Sequence, residues 1–384
     1  MPTTFAKQAP EPVVGDLYFY HLNMMISGAC TALVCVIIFG LMFWHSIHLS
    51  KPREQIKIMK ICLLLPLYTV VSFLSICFPH AYASLDPWLD FFQACALGTF
   101  FLLMCQFIAS DSQSDVNVFF AAFEAPQKSG KSHVTGLEWF RKQWIAIVQY
   151  PVVSLLVAVA TDITQAAKIY CLDSNKPYFA HIWLMVISTV SVAIAVLAVL
   201  KFYKSLKTFL ASHQPLAKLL AFKLIVGLSF LESIIFTILR TTNVLKETST
   251  LSYADVNIGI PNLVTCLQMV PFALFFPYAY RTSPYIGAGP YQGGFLGFRA
   301  WIGVYNPMEL LRAIKFAFGM ATEMRKQGGE SGDSLVQGRT SYSPPTAPPY
   351  TYHNLDSTST AYEQAYDMET PGAPSKVGPT SQKY

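Results

Sequence analysis

Few side chains in this chain have the types and spacing to do chemistry, and the most conspicuous are ionisable groups inside apolar runs. Leu219–Leu239 is interrupted by only two of them, Lys223 and Glu232. A run of about 20 apolar residues crosses the hydrocarbon layer of a bilayer as a helix. At ~100° and ~1.5 Å per residue, Lys223 and Glu232 fall on opposite faces, ~13 Å apart. Lys223 lies near the basic end of the run, so its ammonium reaches the interface along its own stem. Glu232 lies roughly 20 Å in, where a carboxylate must be protonated, paired with another helix or wetted by a cavity. Asp90 and Gln93 share a helix face in a second apolar run. Asn262 and Gln268 lie in a third, together with Pro261, Pro271 and Pro277. Prolines free backbone carbonyls that at membrane depth only protein or water can satisfy. That third run therefore reads either as a bent helix lining a cavity or as a helix whose amides make ordinary interhelical hydrogen bonds.

Other chemistries lack their residues. His45 and His48 share a helix face, but no carboxylate beside them completes a metal site, so they read as interfacial histidines. The run at 258–280 has no lysine for a Schiff base and no HxxxH pair. The chain has no nucleotide-binding motif, so ATP-driven transport by this chain alone is not expected. No pair among the eight cysteines has CxxC or metal-ligand spacing. Cys77 and Cys171 fall on the same side of the predicted topology, which leaves a disulfide between them open beside the alternative of free, buried thiols. The chain reads as a non-enzyme with neither metal nor cofactor.

The elements that must position these residues are membrane helices. The chain is 53% hydrophobic and 13% charged, where soluble domains run nearer ~25% charged. The net charge of +5 gathers beside apolar runs, which argues against nucleic acid as a partner. Seven runs have spanning length, at 24–44, 58–78, 88–108, 144–161, 179–200, 219–239 and 258–280, and the fourth is the shortest. Lys51, Arg53, Lys57, Lys60, Lys128, Lys131, Arg141, Lys142, Lys201, Lys204, Lys207 and Lys218 fall in alternate connectors. The positive-inside rule therefore predicts the N-terminus outside and the C-terminus cytoplasmic. With no cleavable signal peptide in the polar first 23 residues, the first span serves as its own targeting signal.

The expected architecture is an all-α membrane protein in four parts. These are an extracytoplasmic segment (1–23), a seven-helix domain (24–281), a juxtamembrane amphipathic region (282–326) and a disordered Ser/Pro/Tyr-rich cytoplasmic tail (327–384). Within 282–326, Pro307 suits the first turn of a helix. That helix either lies at the membrane interface or packs on the cytoplasmic loops. In the tail, Pro344–Tyr350 (PPTAPPY) reads first as a Pro-rich spacer, with a PxxP spacing that also suits an SH3 or WW module.

Five motifs in order resemble the organic solute transporter alpha-subunit (Ostalpha-like) family over about residues 18–320. They are Pro52, Gln55, Pro66 and Tyr68; Asp90, Phe92, Gln93 and Ala94; Gln214, Pro215, Lys218 and Lys223; Asn262, Cys266, Gln268 and Met269; and the Asn306-Pro307 tract with its basic helix. The family pattern has glutamate where this chain has Gln93 and Gln268, and glutamine where it has Glu232. The resemblance implies facilitated movement of an amphipathic organic solute, sterol- or bile-acid-like, with a separate single-span partner subunit. From residues and resemblance together, the path is expected along spans 3, 6 and 7, lined by Asp90, Gln93, Glu232, Asn262 and Gln268. Gln214, Pro215, Lys218 and Lys223 mark the interface. The expected location is a plasma membrane or an endomembrane such as the vacuole. The alternative function is a membrane scaffold or signalling adaptor acting through the tail.

Overall fold

A computed structural model describes residues 12, 16–112, 119–120, 123, 135–170, 179–210, 227–228, 231–232, 235–236, 238–239, 242, 248, 250–320 and 322. Among them the secondary structure is helical, with one isolated bridge between Thr248 and Leu251. Helices α1 (Phe19–Ile47), α2 (Pro52–Cys62), α3 (Leu64–Cys77), α4 (Tyr82–Ser112), α5 (Gly136–Ala166), α6 (Ala180–Leu210) and α7 (Ile260–Ala279) form the bundle. Two shorter ones follow, α8 (Phe298–Tyr305) and α9 (308–320). Among the described residues, six helical segments, with α2 and α3 taken as one, are long and apolar enough to cross a membrane. The predicted span at 219–239 lies largely outside the described residues, and its described positions between 227 and 239 are helical.

Helix ends differ from the hydropathy limits for a reason visible in the hydrogen bonds. The first span begins at Phe19 rather than 24 because its polar residues are satisfied by protein. Asn23 Nδ2 donates to Gly259 O at 3.0 Å, and Ser27 Oγ donates to Asn23 Oδ1 at 3.0 Å. The second span is two helices, broken at Leu63. Pro66 has no N–H to offer the Cys62 carbonyl, so the ladder is interrupted there. The fourth, shortest by hydropathy, is a helix of 31 residues that keeps Pro151 inside it.

The bundle divides into two groups. Helices α1, α3 and α7 pack on one another, α5 packs on both α4 and α6, and α3 lies against both α4 and α7. Helix α4 is the most enclosed of the spans, and α6 turns most of its apolar surface outward. Around one end of α4 an aromatic core of Phe101, Phe120, Phe140, Trp144 and Phe202 is fully buried.

The tract after α7 is tied to the α1–α2 corner. Gln55, fully buried, accepts from the Ser50 and Lys51 amides at 2.9 Å each and donates to His48 O at 2.8 Å. Ser50 Oγ donates to Tyr285 O at 2.7 Å, and Lys60 Nζ donates to Asn306 O at 2.7 Å. Gly297 has φ +75°, and a Cβ there would meet the Ser46 backbone oxygen at 2.6 Å, so the position admits only glycine.

Asn306 caps α9, its Oδ1 accepting from Met308 N at 2.9 Å, and Pro307 stands at the turn into the helix, where a missing N–H costs nothing. Of the two readings left open for this helix, packing describes its inner face. Ala313 and Ala317 are buried, and Trp144 Nε1 donates to Ala313 O at 3.1 Å. Glu309 pairs with the buried Lys57 at 2.5 Å. The outer face leaves Met308, Leu311 and Phe318 exposed beside Lys315. The tail from 323 onward lies outside the described residues.

Candidate functional site

The candidate polar residues form two separate groups. In the first, Glu232 meets α7. Gln268 Nε2 donates to Glu232 Oε2 at 2.6 Å, and Thr265 Oγ1 lies 3.1 Å from Glu232 Oε1. The spacing that puts Thr265 and Gln268 on one face is i, i+3 on a helix. A short bond from an amide to a carboxylate oxygen is charge-assisted and stronger than its neutral counterpart. Thr265 also lies 3.1 Å from Pro261 O, so its one hydroxyl proton has two acceptors within reach. Glu232, Thr265 and Gln268 are all half-buried. The structure thus gives the Glu232 carboxyl group hydrogen-bonding partners on another helix.

Asn262 stands apart from that pair. Its Nδ2 donates to Ile258 O at 2.8 Å, in the π-helical turn Asp255–Gly259 that leads into α7. It closes its own helix, where sequence reasoning offered a cavity or an interhelical bond. Cys266 faces α3, its Sγ 3.8 Å from Thr69 O, beside Thr31 Oγ1, which donates to the same carbonyl at 3.2 Å.

The second group lies between α3, α4 and α5. Gln93 is buried, with Tyr68 Oη donating to its Oε1, and its Nε2 lies 3.2 Å from Tyr150 Oη. Asp90 Oδ2 accepts from Ser188 Oγ of α6 at 3.4 Å. One turn further along α6, Ser191 exchanges two hydrogen bonds of 2.8 and 3.0 Å with Gln149 of α5, the neighbour of Tyr150. At the far end, Trp88 Nε1 donates to Asp162 Oδ2 at 2.9 Å and Ser84 Oγ to Gln165 Oε1 at 2.7 Å. Asp90 and Gln93 therefore look toward α3, α5 and α6, while Gln268 looks toward Glu232, with α3 packed between α4 and α7. The five residues expected along one path thus fall in separate hydrogen-bonded groups.

Gln214, Pro215, Lys218 and Lys223 lie outside the described residues, as does Cys171. Cys77 carries a free thiol, and Tyr20 Oη donates to its carbonyl at 3.2 Å. His45 Nε2 lies 2.9 Å from Tyr280 O, and His48 packs against Trp44 with ring centres 4.7 Å apart and ring planes tilted by 43°. No group of three metal-ligating side chains occurs among the described residues. Thr265 and Tyr150 were missed in the sequence, and Tyr68 entered it only through the resemblance. Thr265 has the detectable signal, a hydroxyl one helical turn from Gln268 on the same face.

The fold and its polar pairs define a multi-span α-helical integral membrane protein. A family model described as organic solute transporter Ostalpha matches residues 23–285, and the chain belongs to that family. It is similar to a transmembrane protein 184 homolog of Dictyostelium discoideum, at 24% identity over 71% of this chain and 55% of the relative. Protein LAZ1 homolog 1 of Arabidopsis thaliana is 26% identical over 64% of this chain and 54% of its own length. Protein LAZ1 of the same plant is 24% identical over 68% of this chain and 58% of its own. The chain thus spans somewhat over half the length of these curated relatives. No solved structure matches the chain.

Proposed function

We propose that this protein moves an amphipathic organic solute across a membrane without ATP, as a seven-span carrier with its N-terminus outside and its C-terminus cytoplasmic. The observation that carries the reading is the carboxylate of Glu232, held inside a predicted span by Gln268 and Thr265 of the next helix. Ionisable groups at that depth are expensive and mark solute or ion pathways. Membership of the Ostalpha family supports the class of activity. The pair also narrows the solute. A fixed carboxylate accepts a hydrogen bond from a hydroxyl and repels an anion, so a neutral, hydroxylated, sterol-like amphipath fits better than an ionised bile acid. On binding, such a hydroxyl takes the place of the Thr265 proton on Oε1, and Thr265 turns to Pro261 O, which is equally near.

The test is uptake of a panel of sterols and bile acids into proteoliposomes of the pure chain. Glu232→Gln is expected to lower sterol flux about tenfold, roughly the effect of one lost charge-assisted hydrogen bond, with an unchanged melting temperature in detergent. Unchanged flux removes Glu232 from the mechanism. Flux that appears only with an added single-span subunit makes the carrier a two-chain one. Truncation after Lys326 separates this reading from a scaffold acting through the tail, because a carrier keeps its flux without it.

A further inference from the structure

At the end of the bundle that carries Lys51, Arg53 and Lys57, α1 and α7 leave a groove of about 490 Å³. Its upper wall is apolar, formed by Ile37, Gly40, Leu41 and Pro277, and its mouth holds Trp44, Arg281, Thr282 and Ser283. The guanidinium of Arg281 lies 5.3 Å from the Tyr278 ring centre, which holds a positive charge at the mouth. A Cβ built on Gly40 meets nothing within 4 Å, so the missing side chain is part of the groove's open space. Around it, Val36, Phe39, Phe43, Leu274 and Tyr278 are all exposed large apolar side chains, the surface that hydrocarbon covers in a bilayer.

We propose that this groove is a binding site for an anionic phospholipid. The occupant follows from the order of chemistries along the groove. An acyl chain lies on Ile37, Gly40 and Pro277, Trp44 takes the interfacial level, and the lipid phosphate meets Arg281 with the Ser283 hydroxyl beside it. Tryptophan at the interface and a basic residue just beyond it are what a headgroup layer selects. The groove opens sideways onto the face that lipid covers, so a bilayer lipid reaches it without leaving the membrane. The site is distinct from the Glu232–Gln268 pair, since Pro277 is nine residues from Gln268, ~13 Å along α7.

Photoactivatable phosphatidylserine and phosphatidylcholine, each in proteoliposomes of the full chain, test the proposal by mapping labelled peptides. Phosphatidylserine is expected to label the Ile37–Trp44 and Pro277–Ile286 segments about fivefold more than phosphatidylcholine, the preference one basic residue near the surface provides. Arg281→Gln brings that ratio to about one. Gly40→Leu fills the groove and abolishes labelling by both lipids, with a melting temperature in detergent that is unchanged or raised, since leucine favours helix over glycine. Equal labelling of the wild type by both lipids overturns the proposal, as does labelling that maps to other segments. Displacement by a soluble anionic steroid as readily as by phosphatidylserine also overturns it, and makes the groove a solute site. Sterol flux in Gly40→Leu keeps the two readings apart, because loss of lipid labelling with flux intact leaves the Glu232 proposal untouched.

Discussion

Two glutamines, Gln93 on α4 and Gln268 on α7, stand where the resemblance implies glutamate, yet their surroundings are opposite. Gln93 is enclosed, accepting from one tyrosine and lying within hydrogen-bond reach of another, so its amide braces α4 to α3 and α5. Gln268 is half-buried and donates to a carboxylate from another helix. Nothing about Gln93 calls for a charge. At Gln268 a carboxylate lies one hydrogen bond away, on Glu232 across the pair. The two departures that the resemblance implies at 232 and 268 fall on one hydrogen-bonded pair. The lesson is that an amide in a membrane helix says little alone, and that its partner decides whether it braces the bundle or tunes a site.

Replacing Gln93 probes the brace hardest. Gln93→Leu leaves the Tyr68 and Tyr150 hydroxyls short of a partner in a buried site, and should lower stability by about 1–3 kcal/mol, read from chemical unfolding in mixed micelles. A loss below about 0.5 kcal/mol, the level of an average interhelical bond, would mean the tyrosines find other partners and would erase the contrast between the two regions.

The pair itself can be reversed. Gln268→Glu alone sets two carboxylates against each other and should cost about 1–2 kcal/mol at neutral pH. Adding Glu232→Gln should recover most of that loss, along with sterol flux. No recovery in the double variant would show that the charge must sit on the 232 side, so that the positions are not equivalent.

The smallest effect is expected at Thr265. Thr265→Val removes one of two partners of Glu232 and should cost about 0.5 kcal/mol. Because the proposed binding event frees Oε1 from Thr265, the apparent affinity for sterol should rise slightly while stability falls. An unchanged affinity would take Thr265 out of the binding step and leave only Gln268 to hold the carboxylate.

Hydropathy carried most of the helical framework, and the motifs that carry the family resemblance have a physical basis in the fold. Gln55 ties off the α1–α2 corner, Pro66 breaks the second span, Tyr68 holds Gln93, and Asn306-Pro307 starts α9. The ends of the spans were less legible. Asn23 and His45 look like boundaries by hydropathy, yet each sits within α1 because a carbonyl on the α7 side lies within hydrogen-bond reach. The grouping of the candidate residues was not legible at all, since helical spacing relates residues on one helix and is silent about which helices meet.

That division has a single physical origin. Apolar length is a sum over one segment, and in hydrocarbon a segment that long must satisfy its backbone internally, so the sequence alone determines that these runs are helices. Lipid is indifferent to which polar face points where, and an amide or carboxylate inside the bundle is settled only by what packs against it. The pairing of Glu232 with Gln268, the enclosure of Gln93 by two tyrosines, the docking of α9 on Trp144 and the open groove at Gly40 are consequences of helix packing, and only the tertiary structure decides them.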